Sequence, residues 1–497
     1  MYLYLVLFIV ICIIYYFNRK YNYWKDKNVA GPKSLPFFGN LIESSLRRKY
    51  IGSVYNEIYR EFPNEKIVGI YRMTSPALII RDLDIVKNIL IKDFEVFPYR
   101  GIDFSKERLG DNLFHCDSET WRALKNKLTP LFTTVRLKSS ISMLSKQANR
   151  LADYIEIKLT ENNEQDLRHF FEKYTMASIM SFAFGIGVDT MNEDNIFATI
   201  DQHCFTTTYW AEADMLVPGI MSMLNKSLYD KTINKFCQEV FQASVELRNN
   251  APAARNDMID ILFDLKNITI NENDGRVDQD FRITNHMITS QVFIFFIAGY
   301  GNNGSSLSYL MYYLAKYPET QNKLVSELDE ILNKYNGELT YEAINEMMYL
   351  DKVFNEVLRL HPLTNSIQRC SVMPYTIPGT DIIVDKGTSI VISPYAIHRD
   401  ENNFPNADLF DPERFSPENS RDRHPCAFLP FGAGPRACLG IRFAKLQFAI
   451  GAVKFLSRFR VELSTNTKPI EKYNPMRTLF YPEEGIRLNV FLRNISY

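Results

Sequence analysis

The chain of 497 residues carries 57 lysines and arginines against 58 aspartates and glutamates, which gives a formal net charge of −1. Apolar residues make up 46% and charged residues 23%, and this balance excludes an intrinsically disordered or fibrous protein. A charge near zero gives no electrostatic basis for binding nucleic acid. The seven cysteines form no CxxC pair, so we expect a reducing compartment rather than a disulfide framework or a structural zinc cluster.

The N-terminus predicts membrane attachment. Residues 1–17 are uncharged and almost wholly apolar, and a helix of this length reaches about 26 Å, which just spans a thin bilayer. A cleavable secretory signal is the alternative, but bulky aromatic residues at 15–17 stand where small residues would precede cleavage. We predict an uncleaved transmembrane anchor at 1–17, a basic and proline-rich linker at 18–40, and a main domain at 41–497. Because the basic residues follow the anchor, we expect the main domain in the cytosol.

The main domain reads as mostly helical. A short β-hairpin is predicted from about residue 68 to 82. From there to about residue 370 apolar residues recur at helical spacing, as in Leu350–Leu360. Two strand-like runs follow at Thr380–Val384 and Thr388–Ile392, joined by a turn. No Gly/Ser linker, repeat or low-complexity tract interrupts the chain, so we expect one large domain, mainly α with small β-sheets.

The strongest motif surrounds one cysteine, in the run Phe-Gly-Ala-Gly-Pro-Arg-Ala-Cys-Leu-Gly that starts at position 431. Its glycines permit a tight turn before a helix that we expect to begin near Cys438, where backbone N–H groups stabilise a thiolate. Arg436 suits a carboxylate or another anion. A buried structural cysteine beside a glycine turn is the alternative. However, the combination of Phe431, Gly434, Arg436, Cys438 and Gly440 has a chance occurrence on the order of 10⁻⁴ in such a chain.

This pattern resembles the signature of the haem-thiolate cytochromes P450, and the resemblance extends from the apolar N-terminus to the last strands. It implies the cytochrome P450 fold, haem b as cofactor, and the Cys438 thiolate as the axial ligand of the iron. Phe431, Gly434, Arg436 and Gly440 would then be cofactor-binding residues. Two further segments, 97–101 and 127–132, look most like those of insect microsomal members that oxidise foreign and plant-derived compounds.

The resemblance also assigns a supporting ion pair. Glu356 and Arg359 lie one helical turn apart and therefore share a face, which alone is typical of a solvated helix surface. In the family these two residues and Arg414 would form a buried triad that supports the cysteine loop, with little net stabilisation but a large cost if one member is removed.

Four residues match haem-contacting positions of the family. Trp121 and Lys125 fall on its WxxxR helix, with a lysine in place of the usual arginine, and a lysine still offers a cation to a haem propionate. Arg100 and Arg369 match two further propionate-contacting positions. For both, an ordinary surface arginine is the alternative.

The predicted helix over the haem departs from the family. Ala298 and Gly299 lie at the family's dioxygen groove, but Gly301 and Asn302 replace the usual acid and threonine. Three glycines in six residues disfavour a helix, so we expect a locally loosened groove; a glycine-lined crossing of two helices is the alternative. Asn302 cannot titrate, so our hypothesis is that water held there and at loosened carbonyls supplies protons. A threonine at Asn302 and an acid at Gly301 should then improve the product formed per reductant consumed.

No GxGxxG follows a strand and no Walker pattern appears, so the chain is not expected to bind NADPH or FAD itself. The resemblance implies an NADPH-dependent flavoprotein reductase in the same membrane, with cytochrome b5 as a further partner, at the cytosolic face of the endoplasmic reticulum. It implies a monooxygenase that inserts one oxygen atom from O2 into a lipophilic xenobiotic, plant toxin or insecticide-like compound. The substituted acid/threonine pair leaves two alternatives open: a haem-thiolate peroxide isomerase or dehydratase, and a non-catalytic haem-binding protein.

Overall fold

A computed structural model describes residues 2–101, 109–191, 194–217, 219–226, 229, 231–248, 257–267 and 283–493, which form twenty α-helices and nine β-strands. The first ten helices are α1 Tyr2–Tyr21, α2 Tyr23–Asp26, α3 Ile42–Ser45, α4 Ile51–Glu61, α5 Leu83–Lys87, α6 Ser118–Leu128, α7 Thr134–Leu159, α8 Leu167–Phe184, α9 Asp194–Phe205 and α10 Tyr209–Leu216. The others are α11 Ile220–Met223, α12 Lys231–Glu246, α13 Met258–Asn267, α14 Asn285–Lys316, α15 Pro318–Lys334, α16 Tyr341–Glu346, α17 Met348–Leu360, α18 Pro394–Ile397, α19 Pro417–Ser420 and α20 Ile441–Leu456. One π-helical segment spans Asn88–Lys92, and 3₁₀ turns span Phe94–Val96, Thr129–Phe132 and Pro412–Phe415.

The strands form three small sheets. They are β1 Ile67–Arg72, β2 Ser75–Ile80, β3 Glu164–Asp166, β4 Ile367–Cys370, β5 Tyr375–Thr376, β6 Ile383–Val384, β7 Ser389–Ile392, β8 Phe459–Leu463 and β9 Arg487–Leu492. The largest sheet has the order β1-β2-β7-β4, the second β3-β9-β8, and the third pairs β5 with β6. The prediction of a mainly α domain with small β-sheets is confirmed.

The predicted hairpin is confirmed as β1 and β2, which pair antiparallel. The two runs joined by the turn at 385–387 also become strands, β6 and β7, but they do not pair with each other. β7 is parallel to β2 on one edge and antiparallel to β4 on the other, so both of its edges are occupied. β6 pairs with β5 instead.

The core centres on α14, a helix of 32 residues that is buried along most of its length, and α8 packs along it. Small residues on α14 make this close approach possible. A β-carbon at Gly304 would lie 2.8 Å from Glu172 Cγ, and one at Gly299 would lie 2.5 Å from Ile179 Cγ1. The helix is continuous through these glycines, so the expected loosened groove is wrong. Side chains of α8 occupy the space beside these glycines, which agrees with the alternative of a glycine-lined crossing of two helices.

A second hydrophobic cluster lies around the largest sheet and includes the segment that follows α1. Trp24 is buried against β1, and its Nε1 donates a hydrogen bond of 2.9 Å to the Ile70 carbonyl. Gly39 forms an isolated bridge with Arg72 at the end of the same strand. The segment after α1 therefore packs on the sheet at these points.

The N-terminal residues form α1, in which Tyr2, Phe8 and Ile14 are exposed, and Phe17 packs edge-on against Phe37. In the part of the chain that the structure describes, we find no helix with the length and apolarity needed to cross a membrane. The structure therefore does not support the transmembrane anchor predicted at 1–17.

Candidate active site

The cysteine loop is shaped by glycines in the left-handed backbone region. Gly432 and Gly434 have φ of +73° and +72°, and a β-carbon at Gly434 would lie 1.9 Å from the Leu90 carbonyl oxygen. The Cys438 N–H donates to the Phe431 carbonyl at 2.9 Å and closes the loop. α20 begins only at Ile441, so Cys438 precedes the helix instead of opening it, as the sequence had suggested.

A cavity of about 310 Å³ separates the cysteine loop from α14, and the Cys438 side chain is accessible from it. Most of the predicted site residues line this cavity, although they come from α6, α14, β4 and two loops: Arg100, Trp121, Lys125, Ala298, Gly299, Asn302, Arg369, Phe431, Arg436, Cys438 and Gly440. Gly434 and Gly301 do not line it. Gly434 packs behind the loop on Leu90, and Gly301 faces away from the cavity.

Three arginines converge at one side of the cavity. Arg436 is held by backbone carbonyls, since its Nε donates to the Pro98 oxygen at 3.0 Å, and Arg100 in turn donates to the Arg436 oxygen at 3.3 Å. Arg369 is buried and donates from Nη1 to the Gln368 oxygen at 2.8 Å. Among the described residues no salt bridge joins these arginines to a carboxylate, and the Nε atoms of Arg100 and Arg369 have no hydrogen-bond partner.

The pKa values of these three arginines reflect their burial and their closeness to one another. Burial lowers the pKa of Arg369 and of Arg436 to about 10, and Arg436 lowers that of Arg369 further. Burial also holds the pKa of Arg100 well below its usual value, with the two neighbouring guanidinium groups acting in the same direction. Such a cluster fits a ligand that brings carboxylates, because each would pair with a cation that the described residues leave without an acidic partner.

Lys125 completes the cationic side of the cavity. Its Nζ donates to the Pro435 carbonyl at 2.7 Å and lies 5.1 Å from the centre of the Trp121 ring. Trp121 also stacks under Arg436, whose guanidinium carbon lies 4.2 Å from the ring centre. Burial and the charge of Arg436 lower the pKa of Lys125. The Trp121 ring therefore lies close to both cations.

Opposing effects act on the pKa of the Cys438 thiol. Burial raises the pKa of Cys438, whereas a hydrogen bond from the Gly440 backbone and the charge of Arg100 lower it. A thiol on one wall and cations for two carboxylates at one side match a haem, which has a coordinating iron and two propionates. The residues present therefore fit haem b.

The distal wall differs from the predicted proton-delivering groove. A β-carbon at Gly301 would lie 2.9 Å from Tyr481 Oη and 3.0 Å from the Phe205 ring, so an acid introduced there would displace both. Asn302 donates from Nδ2 to the Ala298 carbonyl at 3.0 Å, and its buried Oδ1 has no hydrogen-bond partner among the described residues. Replacement of Gly301 by an acid is therefore a poor test of proton supply, because Tyr481 and Phe205 occupy the space that the new side chain would need.

The buried Glu356–Arg359 pair lies at the centre of the structure that supports the cysteine loop. Both residues are fully buried, and Arg359 donates from Nε and Nη2 to the Glu356 carboxylate at 2.6 and 2.8 Å. Arg359 also donates to the carbonyls of His398 and Ala407 at 2.9 and 2.6 Å. Arg414 lies 3.6 Å from Glu356. The pair is therefore a buried structural unit rather than a solvated helix face.

His398 is a supporting residue that no sequence motif indicates. Its Nδ1 lies 3.2 Å from the Arg359 carbonyl, and its Nε2 accepts a hydrogen bond of 2.8 Å from the Leu429 N–H. Since Leu429 directly precedes the cysteine loop, His398 links α17 to that loop. An isolated histidine 40 residues before the cysteine carries no motif that would have identified it.

The family resemblance also implies a substrate pocket lined by the segments 102–114, 206–223, 295–301, 363–367 and 479–480, and only some of these segments line the cavity. Leu113 and Phe114 line it, whereas residues 102–108 lie outside the described residues. Phe295 and the segment around Leu363 line it as expected. Within the described ranges, the segments 206–223 and 479–480 do not contribute to its walls.

The domain is mainly helical, and its cysteine loop and long buried helix form opposite walls of one cavity. Cations for two carboxylates lie beside the thiol. This combination defines a haem-thiolate enzyme. The sequence model of the family described as cytochrome P450 matches residues 29–490, and the chain belongs to that family. The protein is thus a cytochrome P450 monooxygenase, an oxidoreductase whose family uses haem with an axial cysteine thiolate.

Similar proteins come from insects. Cytochrome P450 6B1 of Papilio polyxenes is 45% identical over 96% of this chain and 97% of its own length. Cytochrome P450 6B2 of Helicoverpa armigera is 42% identical over 98% of this chain and 97% of its own length. Cytochrome P450 6a2 of Drosophila melanogaster is 33% identical over 98% of this chain and 99% of its own length. The resemblance to insect members is confirmed.

Proposed function

We propose that the protein inserts one atom of dioxygen into a lipophilic small molecule of the xenobiotic, plant-toxin or insecticide-like kind. The cavity between Cys438 and α14 carries this proposal, because its walls away from the cations are largely apolar. The side chains that form these walls are Phe114, Phe132, Ile179, Ile294, Phe295, Leu363 and Phe443. A substrate held there would lie against Ala298 and Gly299, with water excluded.

Each predicted site residue has a role in this proposal. Haem bound in the cavity would supply the activation of dioxygen, and the Cys438 thiolate would hold its iron. The propionates would be held by Arg100, Arg369, Arg436, Lys125 and Trp121. Phe431, Gly434 and Gly440 shape the loop that presents the sulfur. Ala298, Gly299, Gly301 and Asn302 form the distal turn of α14. Ala298 and Gly299 leave room for dioxygen in the cavity and Asn302 offers a hydrogen-bonding group there, whereas Gly301 faces away from it.

The electrons are proposed to come from NADPH through a separate flavoprotein reductase, with cytochrome b5 as an additional donor. The overall reaction is RH + O2 + NADPH + H⁺ → ROH + NADP⁺ + H2O. Lys127 and Arg442 are exposed on α6 and α20, the two helices next to the cysteine loop. A positive surface there would attract an acidic reductase and raise its association rate.

We also propose that the protein works at the cytosolic face of the endoplasmic reticulum membrane, with the main domain from residue 41 onward as the catalytic part and 18–40 as the connecting segment. The exposed apolar side chains of α1 and the basic residues Arg19 and Lys20 in its last turn support attachment to a membrane surface.

The test of the haem assignment is the spectrum of the reduced, carbon-monoxide-bound protein. We expect the red-shifted Soret band of a thiolate ligand, and its loss in Cys438→Ala, because no other sulfur lines the described cavity. Cys237→Ala removes a buried cysteine on α12 and should leave the band unchanged. A band that survives in Cys438→Ala contradicts the assignment.

A haem-thiolate peroxide isomerase or dehydratase is the second candidate, because no carboxylate lines the described cavity to deliver protons. Turnover distinguishes the two. With reductase, NADPH and dioxygen, a monooxygenase forms an oxygenated product from a lipophilic substrate. An isomerase rearranges a lipid hydroperoxide without any reductant, and a haem-binding protein without catalysis does neither.

A further inference from the structure

A cluster of ionised groups lies beside α14 on the side that faces away from the cavity. Glu172 on α8 accepts a hydrogen bond of 2.7 Å from Arg168 Nε, and Arg168 lies 3.7 Å from the Asp201 carboxylate on α9. Arg477 pairs with Asp201 from the C-terminal segment. Tyr481 lies among them, with the Arg168 guanidinium carbon 3.8 Å from its ring centre. None of these residues had been identified from the sequence.

The cluster meets α14 at two of its glycines, Gly301 and Gly304. A β-carbon at Gly304 would lie 2.8 Å from Glu172 Cγ, and one at Gly301 would lie 2.9 Å from Tyr481 Oη. Gly301 is the position at which the family usually has an acid. The Tyr481 hydroxyl therefore occupies the space into which that acid would project.

Two polar atoms without partners lie around this one turn of α14. Tyr481 Oη and Asn302 Oδ1 are both buried, and neither has a hydrogen-bond partner among the described residues. Asn302 is the next residue after Gly301, and it lines the cavity. Buried polar atoms are normally hydrogen-bonded, so an unpartnered pair around a glycine needs an explanation. Proton transfer across the helix at Gly301 provides one.

Glu172 is suited to exchange a proton. Burial raises the pKa of Glu172 to about 7, with Arg168 opposing the shift and Asp201 adding to it. The charged and titratable groups that face it are Arg168 on its own helix, Asp201 on α9, Tyr300 on α14, and Arg477 and Tyr481 on the C-terminal segment. Arg168 and Asp201 are partly exposed, so the cluster reaches solvent on its outer side.

We propose that Glu172, acting through the Tyr481 hydroxyl, delivers protons across α14 at Gly301 to the cavity beside Asn302. This proposal rests on the proposed oxygen insertion, RH + O2 + 2e⁻ + 2H⁺ → ROH + H2O. In that reaction the O–O bond breaks, one oxygen enters a C–H bond, and the other leaves as water with both protons. NADPH supplies the two electrons through the reductase. Solvent returns the proton to the Glu172 carboxylate past Asp201.

The first experiment compares Tyr481→Phe with Tyr55→Phe. Both remove a buried hydroxyl that has no hydrogen-bond partner among the described residues, but Tyr55 belongs to the cluster around the largest sheet. With reductase, NADPH and dioxygen, Tyr481→Phe should lower the ratio of product to NADPH by about threefold or more, with a matching release of hydrogen peroxide. Tyr55→Phe should match the wild type. Equal coupling in all three proteins overturns the proposal.

The second experiment uses Glu172→Gln, with Asp257→Asn as the control that neutralises another buried carboxylate paired with an arginine, Arg248. In wild-type protein the coupling ratio should fall as the pH rises through about 7, because the proton donor is lost. Glu172→Gln should have a low ratio without that step, and Asp257→Asn should keep the step. A pH profile of Glu172→Gln identical to that of wild type contradicts the proposal.

An infrared titration provides a readout that needs no turnover. The stretching band of protonated carboxyl groups should lose intensity in the purified wild-type protein as the pH rises through about 7, and this loss should be missing from Glu172→Gln. If the same loss occurs in Glu172→Gln, the buried acid is not Glu172 and the proposal fails. If Glu172→Gln does not fold, Tyr481→Phe decides, because the Tyr481 hydroxyl has no hydrogen bond to lose within the described part of the chain.

Hydrogen peroxide separates this inference from the proposed function. The reaction RH + H2O2 → ROH + H2O brings its own protons and electrons. We expect Tyr481→Phe to form product from peroxide at the wild-type rate while it couples NADPH poorly. If wild-type protein forms no product with either oxidant, the proposed function fails. If Tyr481→Phe loses both activities equally, the hydroxyl has a general structural role and the proton-delivery proposal fails.

Discussion

His398 joins two parts of the protein that are far apart in the chain. It contacts the Arg359 carbonyl at the end of α17 and accepts the Leu429 N–H just before the cysteine loop. Because the backbone N–H of Leu429 can only donate, Nε2 must be unprotonated and the ring neutral. Burial and the neighbouring charge of Arg359 lower the pKa of His398 to about 3, which agrees with this role.

This geometry predicts a pH dependence of stability. The usual pKa of histidine is about 6.5. Below this pH the unfolded chain is protonated at His398, whereas the folded protein stays unprotonated there until the pH nears 3. The contribution of His398 to stability is therefore lost as the pH falls through that interval, by up to about 1.4 kcal/mol per pH unit. His398→Gln keeps a donor and an acceptor but cannot titrate.

The free energy of unfolding, measured by denaturant titration from pH 7 to pH 4, should therefore decline less steeply in His398→Gln than in wild type. Identical slopes would contradict the neutral histidine. His286→Gln, which alters a partly exposed histidine on α14, is the control for substitution by glutamine.

Local sequence pattern identified the residues of the cysteine loop because they are neighbours in the chain. Arg100 and Arg369 could be predicted only through family resemblance, since no spacing links them to position 436. The partners of Gly301 could not be predicted at all. Phe205 and Tyr481 are far from it in sequence, and nothing about a glycine in a helix indicates which side chain fills its place.

At the scale of elements, α8 and α14 approach each other most closely where α14 lacks side chains. At Gly304 a β-carbon would also lie 3.1 Å from the Glu172 Cα and backbone nitrogen, so rotation of the Glu172 side chain cannot relieve the contact. Helical periodicity predicted α14 well, since buried residues recur along it. Its continuity could not be predicted, because helix propensity counts glycine as unfavourable and ignores a partner helix that requires it.

Gly304→Ala should therefore destabilise the protein, although alanine is favoured over glycine in a free helix by about 1 kcal/mol. We expect a net loss of about 1–3 kcal/mol in the free energy of unfolding, because the added methyl group forces the two backbones apart. Denaturant unfolding followed by circular dichroism measures it. A higher unfolding midpoint for Gly304→Ala would show that α8 can move away at no cost.

At the scale of the whole molecule, the cavity cations come from separate parts of the fold. Arg369 lies on β4 of the largest sheet, Arg436 in the cysteine loop, and Lys125 on α6. Similar charges held together in a buried place repel one another, so this region opposes folding until an anion is bound.

Removal of haem should consequently lower the thermal unfolding temperature. Haem present at about a thousand times its dissociation constant would stabilise the folded state by about 4 kcal/mol. Haem dimethyl ester, which lacks the two negative charges, should stabilise it less, and the difference should shrink in Arg369→Ala. Thermal unfolding of protein reconstituted with either compound tests this, and equal midpoints would contradict the role of the cations.

The contact between Gly434 and the Leu90 carbonyl has a mechanical consequence. Because main chain packs on main chain there, the path of the backbone at Asn88–Lys92 limits how closely the cysteine loop can approach that segment. Those five residues form a π-helical segment, which holds one residue more per turn than an α-helix allows. Exchange of their side chains leaves this backbone contact in place, whereas deletion of a single residue would shift the main chain on which Gly434 packs and would move the cysteine loop with it.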